Sequence, residues 1–405
     1  MKWSGGSSRH CSREAVRLPS VLTATVFCLL AASSPAPAQR LVLLPMENQG
    51  DSPEAVTWIA PRIETEVRAR GWDVISGSPV EDRLAASRIR RMDSLPSGAR
   101  EALLGELDAQ GYLATTIFSF RFSEVPVVTV GIRLVDASGS DLFSEVIGLS
   151  TEDTRGPLDS LPGGEIEPLV DRVIELLFRG FPAAGETARQ GEPDASPVKL
   201  HEPFTFLSAH LDAIDPPRRV AILPFRSFAR EREAARIAAQ LTAHWLERVP
   251  GFEPIEPADL RNALIAERVR DASLIWPETM VALGQRLDST LFLRGTVYRW
   301  QPEAVTGSEV RTPEVEMNLT LIDAATSRIV WSSQHGRRGD QYSGFMRLGA
   351  ITNVVALADR VIGEMVAAQR AATPVSVPAP RSPLAPANGS LGAPPDGQER
   401  GIDEP

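Results

Sequence analysis

The chain has 405 residues, 43% of them apolar and 23% charged, enough to bury a sizeable core and more than one average domain needs. A formal charge of −10 argues against nucleic acid or an anionic lipid surface as partner, since both are held by clustered Lys and Arg. Both cysteines, Cys11 and Cys28, fall in the first forty residues, so the remainder has no disulfide, no thiol nucleophile and no cysteine metal site.

Lys2, Arg9, Arg13 and Arg17 precede an apolar run from Val21 to Ala32, and small residues follow as far as Ala36-Pro37-Ala38. That order predicts a secretory signal peptide over 1–38, cleaved before Gln39. The run is short for a bilayer span, and Cys28 follows Thr25-Val26-Phe27 where a lipidated cysteine needs a small neighbour. Cleavage removes four basic residues and Glu14 and moves the formal charge from −10 to −13. The expectation is an exported protein, periplasmic or associated with the outer membrane, with no transmembrane segment after cleavage.

The rest divides into two similar halves, expected as α/β domains over 39–182 and 218–370. Arg40-Leu-Val-Leu-Leu-Pro45 corresponds to Arg219-Val-Ala-Ile-Leu-Pro224, a short apolar strand ended by proline. A helical stretch follows in each, with Ile63 and Val67 in one and Ile237, Leu241 and Trp245 in the other. Gly71-Trp72-Asp73-Val74-Ile75 then corresponds to Gly251-Phe252-Glu253-Pro254-Ile255. Pro61 either kinks the first helix or makes it start late.

Tyr112 to Phe122 and Thr290 to Trp300 predict a further strand in each half, rich in β-branched and aromatic residues. Alternating Val128, Val130, Ile132 and Leu134, and Val315, Met317, Leu319 and Leu321, open a β-hairpin that turns at Asp136 or Asp323. Leu169, Val173 and Leu176, and Leu348, Ile351, Val355, Ala358, Ile362 and Met365, mark closing helices. Each half thus reads β-α-β-α-α-β-β-β-α, an α/β (α+β) fold with helices on a mixed sheet. Residues 183–217 are expected to form a linker in which Phe204-Thr205-Phe206-Leu207 packs locally. The proline-rich 371–405 is expected to be a disordered tail.

Val220-Ala-Ile-Leu-Pro-Phe225, Leu241-Thr242, Leu283-Gly284, Leu291-Phe-Leu-Arg-Gly-Thr-Val297 and Leu321-Ile-Asp-Ala-Ala-Thr-Ser-Arg-Ile-Val-Trp331 together resemble a known family. It is that of the curli secretion-channel protein (CsgG-like) and the amino-terminal domain of the Tol translocation β-propeller protein (TolB-N-like). The family also includes lipoprotein activators of peptidoglycan synthases. The resemblance covers most of 218–369, and 40–180 match more loosely. It implies a non-catalytic envelope protein that docks onto protein partners or forms homo-oligomers. The segment Arg299 to Pro313 departs from the channel members: it is short, polar and broken by Pro302, Gly307 and Pro313, which argues against a membrane-crossing hairpin.

Candidate chemistry is sparse. His10, His201, His210, His244 and His335 are too scattered for a zinc motif, and His244 reads as a solvated or capped helix residue. No Gly-x-Ser-x-Gly elbow, phosphate-binding loop or dinucleotide fingerprint occurs. Asp136 and Asp323 recur at matching places but read as turn caps, and Trp245, Trp300, Trp331 and Phe225 as packing residues. Catalytic, cofactor and metal residues are therefore expected to be absent. The reading is an exported scaffold or adaptor, not an enzyme, working with an envelope protein partner in an assembly, secretion or cell-wall complex. The alternative is a receptor holding a small ligand or glycan between its two domains. An exported hydrolase with an unfamiliar site ranks behind both.

Overall fold

A computed structural model describes residues 39–123, 125–151, 153, 166–186, 202–272, 275–302, 304–306, 309–343 and 350–375. The expected signal peptide, the middle of the expected linker and nearly all of the expected tail lie outside them.

The first half contains β1 (Arg40–Leu43), β2 (Glu47–Asn48), α1 (Ala55–Ala69), β3 (Asp73–Ile75), α2 (Ser78–Ala86), α3 (Ser97–Leu107), β4 (Gly111–Arg121), β5 (Val127–Asp136), β6 (Asp141–Ser150) and α4 (Ile166–Leu177). The second contains β7 (Phe204–Leu207), β8 (Arg218–Ile222), β9 (Arg226–Ser227), α5 (Ala234–Glu247), β10 (Phe252–Pro254), α6 (Pro257–Ala266), α7 (Pro277–Leu287), β11 (Leu291–Gln301), β12 (Ala304–Thr306), β13 (Glu309–Arg311), β14 (Glu314–Asp323), β15 (Ile329–Arg338) and α8 (Val354–Ala371). The fold is mixed α/β, with helices on two mixed sheets.

The first sheet runs β3-β1-β4-β5-β6 and the second β10-β8-β11-β14-β15-β7, so five strands follow the same path in each. In both, the first three neighbours are parallel and the hairpin strands antiparallel. The strand β7 has no counterpart in the first sheet. It comes from the segment read as a linker and pairs antiparallel with the edge of β15, Thr205 opposite Ser333. Arg299 to Pro313 holds the end of β11 and the small ladder of β12 and β13, with Pro302 and Pro313 at the breaks where a ladder amide would be missing.

The helices bury the stripes that their spacing implies. In α1 these are Ala55, Ile59, Ile63 and Val67, with Pro61 inside the helix on its exposed side. In α4 they are Leu169, Val170, Val173, Ile174 and Leu177. The side chain of Asn353 caps α8 by accepting from the amides of Val355 and Ala356 at 2.8 and 3.1 Å.

The two second-half helices are buried far more completely than their counterparts. In α5, Ala234, Ile237, Ala238, Leu241, Thr242, His244, Trp245 and Leu246 are all buried. The cause is a layer shared between sheets: α5 and α8 cover one face of the second sheet and, with their other sides, part of the first. Phe118 and Val146 of the first sheet accordingly belong to the same apolar cluster as Leu241, Trp245, Val355 and Ile362. The first sheet admits the helices because its facing residues are small. A Cβ on Gly148 would stand 2.6 Å from Val355 Cγ2, and one on Gly131 would stand 2.9 Å from Gln240 Nε2.

Gly71 and Gly251 end α1 and α5 at matching places, with φ of +85° and +83°, a backbone open to glycine and strained for any other residue. Substituting Gly71→Ala is expected to cost about 1 kcal/mol in urea unfolding; an unchanged midpoint would contradict this reading of the turn.

Candidate functional site

The polar groups most altered by their surroundings gather where the halves meet. Arg133 projects from β5 on the face that α5 and α6 approach. Its guanidinium donates to Asp141 through Nε at 2.9 Å and Nη2 at 2.8 Å, and to Glu256 through Nη1 at 3.1 Å and Nη2 at 3.0 Å. Asp141 begins β6 of the same sheet, whereas Glu256 is the N-cap residue of α6 in the second half. The side chains of Arg133, Asp141 and Glu256 are 12%, 3% and 4% exposed. Two bidentate contacts on one planar cation satisfy most of its donors, the geometry in which a buried ion pair can recover its desolvation cost.

Further contacts surround this cluster. Tyr112 hydroxyl donates to Glu256 at 3.4 Å, and burial with the charge of Glu256 pushes that phenol up. Glu247, at the end of α5, meets Asp141; burial, that neighbouring charge and their hydrogen bond hold its pKa well above the usual carboxyl range. Arg261 of α6 reaches both oxygens of Asp93 at 3.0 and 3.1 Å, and the Ser97 amide donates to Asp259 at 3.0 Å. At the far end Thr352 and Asn353 donate to Asp153 at 2.9 and 3.2 Å.

Arg133, Asp141, Glu247, Glu256 and Arg261 border a cleft of about 730 Å³ with walls from both halves, including Gln49, Arg100, Arg236 and Gln240. Arg100 points its guanidinium at the Ala137 and Ser138 carbonyls, and Arg236 donates to Gln49 at 2.7 Å. Chemically the cleft offers arginines and amides; of its carboxylates, Asp93, Asp141 and Glu256 are paired with arginines and Asp259 accepts from the Ser97 amide.

The residues singled out from sequence lie elsewhere. Asp136 Oδ1 accepts from the amides of Gly139 and Ser140 at 2.9 and 3.0 Å, and Asp323 accepts from the Ala325 amide at 3.0 Å and from Thr326. Each closes its own hairpin, and they are not brought together. His210 meets Asp323 at 3.0 Å, and His335 meets Glu364 at 2.7 Å inside the second half. His244, expected to be solvated or capped, is buried against the first half, and burial followed by the charge of Arg248 drives its pKa down to about 3, so it is neutral. Trp245, Trp300, Trp331 and Phe225 are buried in the core. Among the described residues no group of three or more His, Cys, Asp or Glu side chains is placed to hold a metal ion. No described helix is long and apolar enough to cross a membrane.

No family model matches the chain, and no curated protein does. Solved structures similar to part of it include a PelC dodecamer from Paraburkholderia phytofirmans, at 16% identity over 37% of this chain and 85% of that one, TM-score 0.25. Lipoprotein GNA1162 from Neisseria meningitidis follows at 15% identity over 35% and 96%, TM-score 0.27. The C-terminal domain of LpoB from Escherichia coli aligns at 14% identity over 31% and 92%, TM-score 0.23.

Two outcomes test the contact. Arg133→Ala leaves Asp141 and Glu256 buried without their cation and is expected to cost about 3–5 kcal/mol in urea unfolding; adding Glu256→Gln should recover part of it, and a neutral single variant would contradict the assignment. The second concerns Glu145 on β6, which burial and the charge of Asp359 push from 4.5 up to about 7, against the opposing charge of Arg248. The folded protein holds this proton to higher pH than the unfolded chain, so stability is lost as pH rises from about 4.5 to about 7, by about 3 kcal/mol at the most. Glu145→Gln should melt like the wild type at pH 4 and above it at pH 8; parallel pH profiles for the two would refute the assignment.

Proposed function

We propose that the chain is a non-enzymatic, exported scaffold or adaptor acting in a bacterial cell-envelope assembly, secretion or cell-wall complex. The single observation that carries this reading is the use of the perturbed polar groups. Arg133, Asp141, Glu247 and Glu256 are engaged with one another across the contact between the halves, an arrangement suited to holding two modules in a fixed relation. The leader-like order of residues 1–38 supports export. We also propose that the halves are duplicated domains over 39–182 and 218–370, joined through 183–217; the shared five-strand path supports this.

A second reading has one specific observation in its favour: the cleft of about 730 Å³ between the halves, lined by Arg100, Arg236 and Gln240, is of a size that takes a small ligand. The bidentate contacts across its floor oppose the hinge motion by which a two-lobed receptor closes.

Crosslinking the tagged protein in its own envelope, together with the mass of the purified protein, separates the two. The scaffold reading expects one envelope complex to be recovered repeatedly, or a defined homo-oligomer. A monomer that recovers no complex and gains thermal stability from a small envelope metabolite would transfer the assignment to the receptor reading, and specific turnover of a small molecule would overturn both.

A further inference from the structure

The two sheets expose opposite fates for one face. Their registers place Thr116, Gly131 and Val146 of the first sheet where the second has Thr296, Asn318 and Gln334. Likewise Ala114, Arg133 and Ser144 correspond to Arg294, Thr320 and Ser332. In the first sheet these residues lie under α5 and α8. In the second, no described element covers them, and Gly131, Val146 and Ala114 have given way to Asn318, Gln334 and Arg294, while the hydroxyls of Thr116 and Ser144 are kept as Thr296 and Ser332 and Arg133 is replaced by Thr320.

The open face is ordered. One row of cross-strand neighbours reads Arg226, Thr296, Asn318, Gln334, Phe204, and the next reads Arg294, Thr320, Ser332, Phe206. Cross-strand partners share a face, so each row carries an arginine at one end, a phenylalanine at the other and hydrogen-bonding groups between. Thr320 hydroxyl contacts Asn318 Oδ1 at 2.9 Å, and Asn318 Nδ2 donates to the Ser333 carbonyl at 3.2 Å, which orients these groups. Phe204 is 81% exposed. At the arginine end, Phe228 and Tyr298 stack at 6.0 Å and 3°, with the Arg226 guanidinium 4.7 Å over Phe228. Tyr298 is 42% exposed, whereas Phe118, its counterpart under α5, is 4% exposed.

Charge completes the pattern. Among the described residues neither Arg226 nor Arg294 has an ion-pair partner, and Arg294 Nε is buried without a hydrogen bond. Glu316, two residues from Asn318 on β14, is engaged by Arg299 at 3.5 Å and by Gln334 at 3.5 Å. In a chain of formal charge −10, two unpaired arginines on one face favour an anionic occupant. Protein interfaces place apolar residues at the centre and polar ones at the rim. This face is the reverse, with a polar centre and aromatic ends.

We propose that the open face of the second sheet binds an anionic glycan chain. Sugar rings stack their C–H faces on Phe204 and on the Phe228–Tyr298 pair, hydroxyls bridge Thr296, Asn318, Thr320, Ser332 and Gln334, and carboxylates pair with Arg226 and Arg294. The longer row crosses five strands, about 19 Å, room for several sugar rings in line. The inference goes beyond the scaffold reading and stands without it.

Isothermal titration of the full chain with a short oligogalacturonate tests it. Binding is expected, at least tenfold weaker for the methyl-esterified oligomer and for Arg226→Ala/Arg294→Ala, and severalfold weaker for Phe204→Ala; polyglutamate should not compete. If the alanine pair fails to fold, Arg226→Gln/Arg294→Gln serves in its place with the same expectation. Absence of binding, equal affinity for the ester or the arginine variants, or equal competition by polyglutamate, as an acidic peptide partner would give, overturns the proposal.

Discussion

Taking a guanidinium and two carboxylates out of water costs several kcal/mol per ion, and that cost is recovered only when the hydrogen-bonding edges meet each other. At Arg133 they meet from two directions: Asp141 from the same sheet and Glu256 from the start of α6. Glu247 at the end of α5 lies beside the same Asp141, so α5 and α6 meet the first sheet at one cluster.

The glycines of the first sheet follow from the same constraint. Gly131 and Gly148 let α5 and α8 approach to the distance at which the ion cluster closes, and a side chain at either place would collide with Gln240 or Val355. One helix pair then serves two sheets, and the equivalent face of the second sheet is left open. That asymmetry gives the molecule one surface whose residues are not needed to hold the fold together.

Much of the architecture was legible in the residues. Alternation in Val128 to Leu134 and Val315 to Leu321, acidic turns at Asp136 and Asp323 and the matched Gly71 and Gly251 expose the strand and turn order because each depends on local spacing. β7 was read as linker because four residues, half of them exposed or partly exposed aromatics, carry no period strong enough to separate an edge strand from a local contact. The contact between the halves was not legible: Arg133 and Glu256 are 123 positions apart, and an arginine in an alternating strand looks like any solvent-facing residue until another element covers it. One signal was present in α5, where Ala235, Ala239 and Ala243 form a stripe of small residues opposite the apolar stripe of Ile237, Leu241 and Trp245, as a helix packed on two sides allows. His244 was misjudged for the same reason, since its helix has no solvent face where it lies.

Two modules joined through a buried ion cluster and an open polar face fit the proposed role of positioning other molecules. The measurement that tests the central claim most directly is the distance distribution between spin labels on α4 at Glu175 and on α7 at Glu278, both exposed, with Cys11 and Cys28 replaced by serine. The account predicts one narrow distribution in the wild type that broadens in Arg133→Ala. A broad or two-peaked distribution in the wild type would mean that the halves move independently and that the ion cluster does not lock them.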